Sequence, residues 1–340
     1  MSRRAGARPT AAGGEDALIV WLRRTLGPPG AALIGDDAAL LRLAGAWALT
    51  VDSQVEGTHF PPGLDPAVVA RRLLAVNLSD LAAVGAAPAY GLLALSAPPG
   101  FDHRRFLRAF AAACRRAGVV LAGGDLARAP LPVATLTLLG RRRRGGRWLR
   151  RDLARPGDAL WLGGSLGESA LGRALLARGA QWRAGRVDLP HDLDRLLAGT
   201  RARAAARRAV RRHLLPTPQI PLSAALAARR RCACLDVSDG LARDLGRLAR
   251  SSAVGATIEE AALPLPPTLP ALARALDLDP SHLALGGGED YVLLFTLPAR
   301  EAAPPGCHQI GTIESRPGLQ IRAAHGALRP LPDLGWDHLA

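Results

Sequence analysis

The stretch that decides the fold is PAVVARRLLAVNLSDLAAVGAAPAYGLLALS, residues 66–96. Its first part predicts a helix at about 66–84, and its second part predicts a strand at 90–96. Another helical pattern follows at about 102–117. Further short apolar runs with strand character lie at 38–43, 46–51, 119–122 and 131–140. Because strands alternate with helices, the first part of the chain predicts an α/β or α+β layer domain.

A second unit is expected after Arg155-Pro156-Gly157-Asp158, where residues typical of turns end the first one. Residues 159–162 predict a strand, which Gly163-Gly164 turns into a helix from about Ser165. The rest predicts helices at 199–213, 221–229 and from about Gly240, strands at 233–237, near 291–297 and near 308–313, and a proline-rich loop at 264–270. Residues 15–26 have helical spacing, and the composition of residues 1–14 indicates a disordered tail.

The composition indicates a globular protein without a membrane partner. Its 340 residues suffice for about two domains. Hydrophobic residues make up 49% and aromatic residues only 4%, so Ala, Leu and Val must build the core. No uncharged apolar run approaches the roughly 18 residues of a membrane span, and no apolar segment follows the basic start Met1–Arg4. Four scattered cysteines predict no disulfide framework, and Cys232 and Cys234 are expected to be buried strand thiols. A cytoplasmic location is expected.

The formal net charge of +15 raises the question of nucleic-acid binding. All 44 basic residues are Arg, and Asn occurs only at position 77, a usage that indicates codon bias rather than a binding patch. The densest run, Arg141–Arg144, is typical of a hairpin tip, and residues 201–212 predict a helix with a solvated basic face. No nucleic-acid partner is therefore expected.

The absence of lysine excludes two classes of nucleotide-binding protein. A P-loop requires Lys before its Ser or Thr, and a protein kinase requires a Lys on one of its strands. If this chain handles ATP, other groups must neutralise the triphosphate.

Acidic residues recur in short Gly/Ser-rich segments next to apolar runs. Carboxylates at strand ends, with glycines that let the backbone approach a ligand, fit a phosphate site that holds several metal ions. Each segment alone could instead be a turn or a helix cap; it is their number that favours metal-dependent phosphate chemistry. The segments are Gly35-Asp36-Asp37, Val51-Asp52-Ser53, Asn77-Leu78-Ser79-Asp80, Gly123-Gly124-Asp125, Asp236-Val237-Ser238-Asp239-Gly240 and Gly286-Gly287-Gly288-Glu289-Asp290.

Two further residues stay open on pattern alone. His59 follows Asp52 by seven residues, so it is either a polar loop residue or a ligand contact. Trp336, near the end of the sequence, is either a core plug or a stacking surface, and its pattern favours the plug.

The acidic segments belong to longer stretches whose order along the chain carries a resemblance. These are IGDDAALL (34–41), VDSQVEGTHF (51–60), AVNLSDLAAVGAAP (75–88), AGGDLARAP (122–130), RPGDALWLGGSLGESALG (155–172), RRHLLPTPQI (211–220), LDVSDGLARDLGRLA (235–249), LGGGEDYVLLFT (285–296) and GWDHLA (335–340). Together they resemble the thiamine-monophosphate kinase family, of the superfamily of aminoimidazole ribonucleotide synthetase, selenophosphate synthetase and the hydrogenase-maturation dehydratase. The VEGTHF, NLSDLAAVGA and GGEDYVLLFT motifs are specific to this branch.

The resemblance implies a two-domain α/β (α+β) fold of the PurM-like type. An N-terminal ATP- and Mg²⁺-binding domain, residues 15–155, would form the sheet or barrel of a homodimer, and residues 156–340 would form the C-terminal domain. ATP would lie in the cleft between the domains. The family transfers the γ-phosphoryl group of ATP directly to the phosphate of thiamine monophosphate, and it needs several Mg²⁺ ions.

The resemblance also implies a role for particular residues. The implied metal ligands are Asp37, Thr50, Val51, Asp52, Asp80, Asp125, Asp236 and Asp239; the nucleotide contacts are Gly124, Asp125, Arg151 and Ser238; and the contacts to thiamine monophosphate are His59, Glu289 and Trp336. No catalytic general base is expected, because the second pKa of a phosphate monoester is about 6 and the attacking oxygen is already ionised.

Three positions depart from the family pattern. Val51 replaces a common Thr, so only its backbone could contact a metal. Leu126 replaces a Thr and removes a hydroxyl group beside the site. Trp336 replaces a common Tyr, which keeps a stacking surface but loses the phenol.

Two alternatives remain. Another enzyme of the superfamily would be expected to carry an N-terminal catalytic Cys or a Gly-rich Lys loop, and the sequence has neither. A non-catalytic binder of phosphate ligands or nucleic acid would have little use for the carboxylate set.

Overall fold

A computed structural model describes residues 15–34, 38–197 and 199–336. Within these ranges the helices are α1 Glu15–Leu26, α2 Gly30–Leu33, α3 Pro66–Ala83, α4 His103–Ala117, α5 Glu168–Ala177, α6 His191–Leu196, α7 Thr200–Leu214, α8 Ile220–Ala227, α9 Leu241–Ser252, α10 Leu269–Ala275 and α11 Pro280–Gly286. The strands are β1 Trp47–Val55, β2 Ala86–Ala97, β3 Val120–Arg128, β4 Val133–Arg142, β5 Asp158–Leu162, β6 Gln181–Arg183, β7 Arg186–Asp188, β8 Cys234–Asp236, β9 Gly255–Glu259, β10 Leu293–Pro298, β11 His308–Glu314, β12 Gly318–Arg322 and β13 Leu328–Pro330.

The first sheet has four strands in the order β1-β4-β2-β3, of which only β2 and β3 are parallel neighbours. Alternate side chains of β2 and β4, such as Leu93 and Leu136, are buried in the same core cluster as residues of α3 and α4. Helix α3 begins sharply because Pro66 has no N–H to lose and the Asp65 carboxylate accepts from Ala67 N at 2.9 Å. This helix carries Asp80 in its last turn.

The second sheet has seven strands in the order β13-β12-β9-β11-β5-β10-β8. Only β12 and β9 are parallel neighbours. Helix α9 is amphipathic and buries Leu241, Leu245 and Leu248 in the core of this sheet. The described residues thus form two large mixed sheets packed against helices, together with a small antiparallel sheet of β6 and β7.

Helices α5 and α7 extend the core cluster of the first sheet. They approach closely at Gly172, where a Cβ would lie 2.1 Å from the carbonyl oxygen of Ala209. This close crossing brings Arg173 and His213 to the same region of the molecule.

Most sequence predictions of regular structure match the fold, including α1, α3, α4, α7 and the burial of Cys232 and Cys234. The four cysteines are free thiols.

Two predictions are wrong. Residues 38–43 form no strand, and Leu40 stays 84% exposed because no sheet covers it. Arg141–Arg144 is not a hairpin tip, since β4 ends at Arg142 and the next strand, β5, joins the other sheet.

A third prediction is partly wrong, because the proline-rich loop at 264–270 ends in helix α10, which begins at Leu269. The predicted tail at residues 1–14 lies outside the described residues. Among the helices that the structure describes, none has the length and apolar character needed to cross a membrane.

Candidate active site

A cavity of about 570 Å³ lies where both sheets meet α3, α5 and α7. Its size is typical of a small-ligand site, for which roughly 300–1,000 Å³ is usual. Two groups of predicted residues line it: the carboxylates Asp52, Asp80, Asp236 and Asp239, and the predicted acceptor contacts His59, Glu289 and Trp336. The structure therefore brings together residues that are as far apart as 284 positions in the sequence (52 to 336).

The acidic side of the cavity is held by neighbouring hydroxyl groups. Thr50 Oγ1 donates to Asp80 Oδ2 at 2.5 Å, and Ser79 Oγ donates to Asp236 Oδ2 at 2.6 Å. Asp236 is the last residue of β8, whereas Asp80 projects from α3, so a strand end and a helix face supply one site.

These carboxylates are crowded and poorly solvated. Burial, followed by the negative charges of Asp236 and Asp52, raises the pKa of Asp80 to about 7. Burial also raises the pKa of Asp236, against the opposing hydrogen bond from Ser79. The positive charge of Arg151 opposes the rise in pKa of both Asp80 and Asp236. This exposed guanidinium therefore lies within electrostatic reach of the acidic side.

The acidic side suits a divalent cation that arrives with a phosphate. Within the described ranges, no three His, Cys, Asp or Glu side chains form a preassembled metal cage. Mg²⁺ ordinarily takes only one or two carboxylates and completes its shell with phosphate oxygens and water. Since burial and mutual repulsion destabilise the ionised carboxylates here, Mg²⁺ would relieve both, so the donor set fits this ion.

The loop before α9 is built around Asp244. This carboxylate accepts from the backbone N of both Ser238 and Asp239 at 3.0 Å, and burial raises its pKa to about 6. Arg247 Nη2 lies 2.5 Å from Asp239 Oδ2, and its Nη1 lies 2.6 Å from Asp244 Oδ1. Ser238 and Asp239 are thereby fixed at the cavity wall.

The Gly-rich segment 286–290 packs against the Ser238 loop and aims Glu289 into the cavity. A Cβ at Gly288 would lie 2.6 Å from Ser238 O, so only glycine permits this approach. Glu289 N donates to Ser238 O at 2.7 Å. Glu289 and Tyr291 both have positive φ, 57° and 50°, which non-glycine residues seldom adopt and which are often found at functional sites.

Asp290 anchors this segment to the start of α5. Its carboxylate accepts from Gly167 N at 2.8 Å and from Ser169 N at 3.3 Å, and burial raises its pKa to about 7. The side chain of Asp290 therefore holds the loop in place, whereas that of its neighbour Glu289 faces the cavity.

His59 and Trp336 lie on the rim. Val55 N donates to His59 Nδ1 at 3.1 Å, which fixes the imidazole in the turn after β1. Trp336 is 45% exposed and faces the cavity, so the core-plug interpretation is wrong. The guanidinium of Arg173 lies 5.8 Å from the centroid of the Trp336 ring.

Some predicted site residues do not line the cavity. Asp125 and Gly124 are exposed on β3, and Asp125 is the register partner of Ala94, on the open face of the first sheet. Val51 is 60% exposed on that same face, whereas Thr50 and Asp52 lie on the other face of β1. Asp37 is outside the described residues.

Sequence reasoning missed several residues that shape the cavity. Arg173 and His213 line it, and the fully buried Arg72 contacts Glu289. One signal was available for Arg72: an arginine within the apolar stretch of α3 must find a partner when that helix is buried.

Residues 35–142 match the family described as AIR synthase related protein, N-terminal domain, and residues 155–323 match AIR synthase related protein, C-terminal domain. The chain is 38% identical over 271 residues to a thiamine-monophosphate kinase of Salmonella typhimurium, covering 78% of this chain and 76% of that protein. With the enzyme of the same name from Escherichia coli K12 it shares 39% identity over 272 residues, with the same coverage.

Among solved structures, too, thiamine-monophosphate kinases are similar to this chain. A structure of AaThiL complexed with AMPPCP and TMP has a TM-score of 0.73 at 29% identity and covers 98% of this chain and 99% of that one. A thiamine-monophosphate kinase from Stenotrophomonas maltophilia has a TM-score of 0.73 at 33% identity, covering 91% and 96%. Hydrogenase maturation protein HypE in complex with ATP, at 22% identity and a TM-score of 0.72, is similar in fold. By sequence and by structure, the chain belongs to the thiamine-monophosphate kinase family of AIR synthase-related proteins.

Proposed function

We propose that this protein phosphorylates thiamine monophosphate with ATP, giving thiamine diphosphate and ADP. The observation that carries the proposal is the cavity itself, which joins four carboxylates on one side to His59, Glu289 and Trp336 on the other. The carboxylates suit metal-bound phosphates, and a carboxylate beside an aromatic ring suits a flat organic cation.

The acidic side positions the two phosphate groups for direct transfer. Asp52, Asp80, Asp236 and Asp239, with Thr50 holding Asp80, are the residues that would bind Mg²⁺. Mg²⁺ held by these residues would neutralise the phosphates and help to orient them in line. The attacking phosphate oxygen is already ionised near neutral pH, so no side chain needs to accept a proton. Asp37, Asp125 and the backbone at Val51 remain proposed additional ligands.

The nucleotide is proposed to lie beside Arg151 and Ser238, with Gly124 and Asp125 completing its site. Arg151 is exposed and acts electrostatically on Asp80 and Asp236, so it is placed to accompany the phosphates. Arginine is always charged and binds phosphate through a planar fork of N–H donors. It thus supplies, in a lysine-free sequence, a side-chain cation at the phosphate site.

The proposed function can be tested by comparing two phosphate acceptors. Purified protein with ATP and Mg²⁺ is given thiamine monophosphate or thiamine, and ADP and thiamine diphosphate are both quantified. We expect equimolar ADP and thiamine diphosphate from the monophosphate and neither product from thiamine. ADP formed without thiamine diphosphate would show that the acceptor is a different compound.

We also propose a homodimer formed through the open face of the first sheet. Val51, Thr137 and Leu92 are register partners in a row across β1, β4 and β2. Val51 is 60% exposed and Leu92 is 42% exposed, so this row presents apolar surface that a second copy could bury. Because Asp125 lies on the same face, its proposed part in the nucleotide site depends on how the dimer is arranged.

Leu92→Asp is expected to convert the dimer into a monomer, because a buried, unpaired carboxylate destabilises an interface. Light scattering coupled to size-exclusion chromatography should give the 35.6 kDa chain mass for the variant and twice that for the wild type. Leu196→Asp, at another exposed apolar position on α6, is the control and should stay dimeric. A monomeric wild type would contradict the proposal.

We propose domain limits of 15–155 and 156–340. The sheets support them, since strands β1–β4 end at Arg142 and the seven-stranded sheet begins with β5 at Asp158.

We further propose that the protein acts in the cytoplasm, where ATP is available and the free thiols of its cysteines stay reduced.

A further inference from the structure

A buried polar cluster lies beneath the acceptor side of the cavity, and its centre is Arg72. This side chain is 0% exposed, although it projects from the apolar helix α3. Its Nε donates to Gln54 Oε1 at 2.7 Å, its Nη1 donates to the carbonyl oxygen of His213, and its Nη2 donates to Glu289 Oε1. One guanidinium thus joins β1, α7 and the 286–290 segment.

His213 completes the cluster from the other side. Its Nδ1 lies 3.2 Å from Glu289 Oε2 and 3.2 Å from Ser169 Oγ. Burial lowers the pKa of His213 to about 3, so the imidazole is neutral. A neutral imidazole that faces an ionised carboxylate must carry its proton on Nδ1 and donate it.

Both oxygens of Glu289 are therefore committed. Burial acts to raise the pKa of Glu289, but the adjacent guanidinium of Arg72, followed by the contact with His213, outweighs it and leaves the pKa lowered. The carboxylate is 22% exposed, and this exposed part faces the cavity. Glu289 thus presents a fixed negative charge to whatever binds there.

We propose that Arg72 and His213 are positioning residues that hold Glu289 ionised and oriented, and so make the acceptor site selective for a ring that carries a positive charge. The inference rests on the proposed function, in which Glu289 contacts the thiamine part of the acceptor. In this cluster both residues act through Glu289: Arg72 is fully buried, and His213 contacts Glu289 Oε2.

The arrangement is more than a stabilising ion pair. Replacing a buried ion pair with apolar residues often leaves stability unchanged or raises it, so such a pair gives weak support for a purely structural role. Here the guanidinium also fixes Gln54, two residues from Asp52 on β1, and it lies on the helix that carries Asp80. The same side chain therefore links Glu289 to β1 and α3, the elements that carry Asp52 and Asp80.

The test compares Arg72→Met, Arg72→Lys and a matched control. Arg231→Met removes a partly buried arginine, whose partner Asp158 lies outside the cavity. Acceptors are thiamine monophosphate and its deaza analogue, in which an uncharged thiophene ring replaces the thiazolium. For each protein, KM and kcat are measured for both acceptors and for ATP, with thermal unfolding recorded in parallel.

We expect Arg72→Met to raise KM for thiamine monophosphate at least about 10-fold, with KM for ATP within about threefold of wild type. The preference for the charged ring over the neutral one should fall in the same proportion. Arg72→Lys keeps one charge but cannot bridge three acceptors, so it should lie between wild type and Arg72→Met. Arg231→Met should leave the preference unchanged.

Several outcomes would overturn the inference. If Arg72→Met fails to fold, Arg72→Lys decides, and an unchanged ring preference in that variant counts against the proposal. Equal effects of Arg72→Met and Arg231→Met would show a structural role only. Wild-type turnover without a preference for the charged ring overturns this inference alone, whereas absence of thiamine diphosphate with the wild type overturns the proposed function as well.

Discussion

Asp236→Asn is expected to lower kcat by at least about 100-fold, because the substitution removes one negative charge from the group that would hold Mg²⁺ against both phosphates. The amide oxygen can still accept from Ser79 Oγ, which lies 2.6 Å from Asp236 Oδ2 in the wild type. The end of β8 should therefore keep its conformation. Steady-state production of thiamine diphosphate measures the loss. Excess Mg²⁺ should recover only a small part of it.

Asp158→Asn is the matched control for this experiment. Asp158 is as buried as Asp236, 3% against 5% exposed, but it pairs with Arg231 outside the active-site cavity. We expect this control to lose stability and keep kcat within about threefold of wild type. If Asp236→Asn retains wild-type kcat, the carboxylate cannot serve as a metal ligand in the transfer.

Asp80→Asn is expected to stabilise the metal-free protein at pH 8. The pKa of Asp80 is about 7 in the folded protein and near 3.8 when unfolded, so the folded state binds the extra proton between these values. Stability from this group is therefore present below about pH 3.8 and is lost as the pH rises towards 7. The full shift would correspond to roughly 4 kcal/mol, and after solvent screening we expect about 1–3 kcal/mol.

Thermal unfolding without metal should show the variant about 2–6 °C above wild type at pH 8, with the difference vanishing near pH 4. Adding Mg²⁺ with a non-hydrolysable ATP analogue should reverse the order, because a ligand that binds the folded state stabilises it. The wild type should gain more from the addition than the variant does. A variant that is less stable than wild type at pH 8 without metal would show that burial and repulsion of the carboxylate do not dominate at Asp80.

The sequence predicted the parts of the fold that depend on local pattern. Helix α4 has apolar residues on one face and an Asp102 cap, and both signals are visible in the sequence. The apolar run 38–43 carries the same strand signal as β2, yet it remains exposed, because pairing depends on neighbours that the pattern does not reveal. Short strands such as β6 and β7 have three residues each and no periodicity to read.

The residues of the candidate site also divide into those that the sequence pattern indicated and those that it missed. The carboxylates were singled out because several acidic segments share a Gly/Ser-rich context, and the structure places Asp52, Asp80, Asp236 and Asp239 around one cavity. Arg72 and His213 were missed because their contacts to Glu289 are set by the tertiary fold: Arg72 and Glu289 are 217 residues apart. The sequence contains the partners but not their pairing.

A single-turnover experiment with γ-labelled ATP tests the central claim most directly. Enzyme in excess over ATP is mixed with Mg²⁺ and thiamine monophosphate, and the label is followed in thiamine diphosphate, in free phosphate and on the protein. We predict that the label passes to the terminal phosphate of thiamine diphosphate, one for each ADP, without labelled protein at any time, and that Asp52→Asn abolishes the transfer. Label that appears on the protein first, or only as free phosphate, would contradict direct transfer between the two substrates in this cavity.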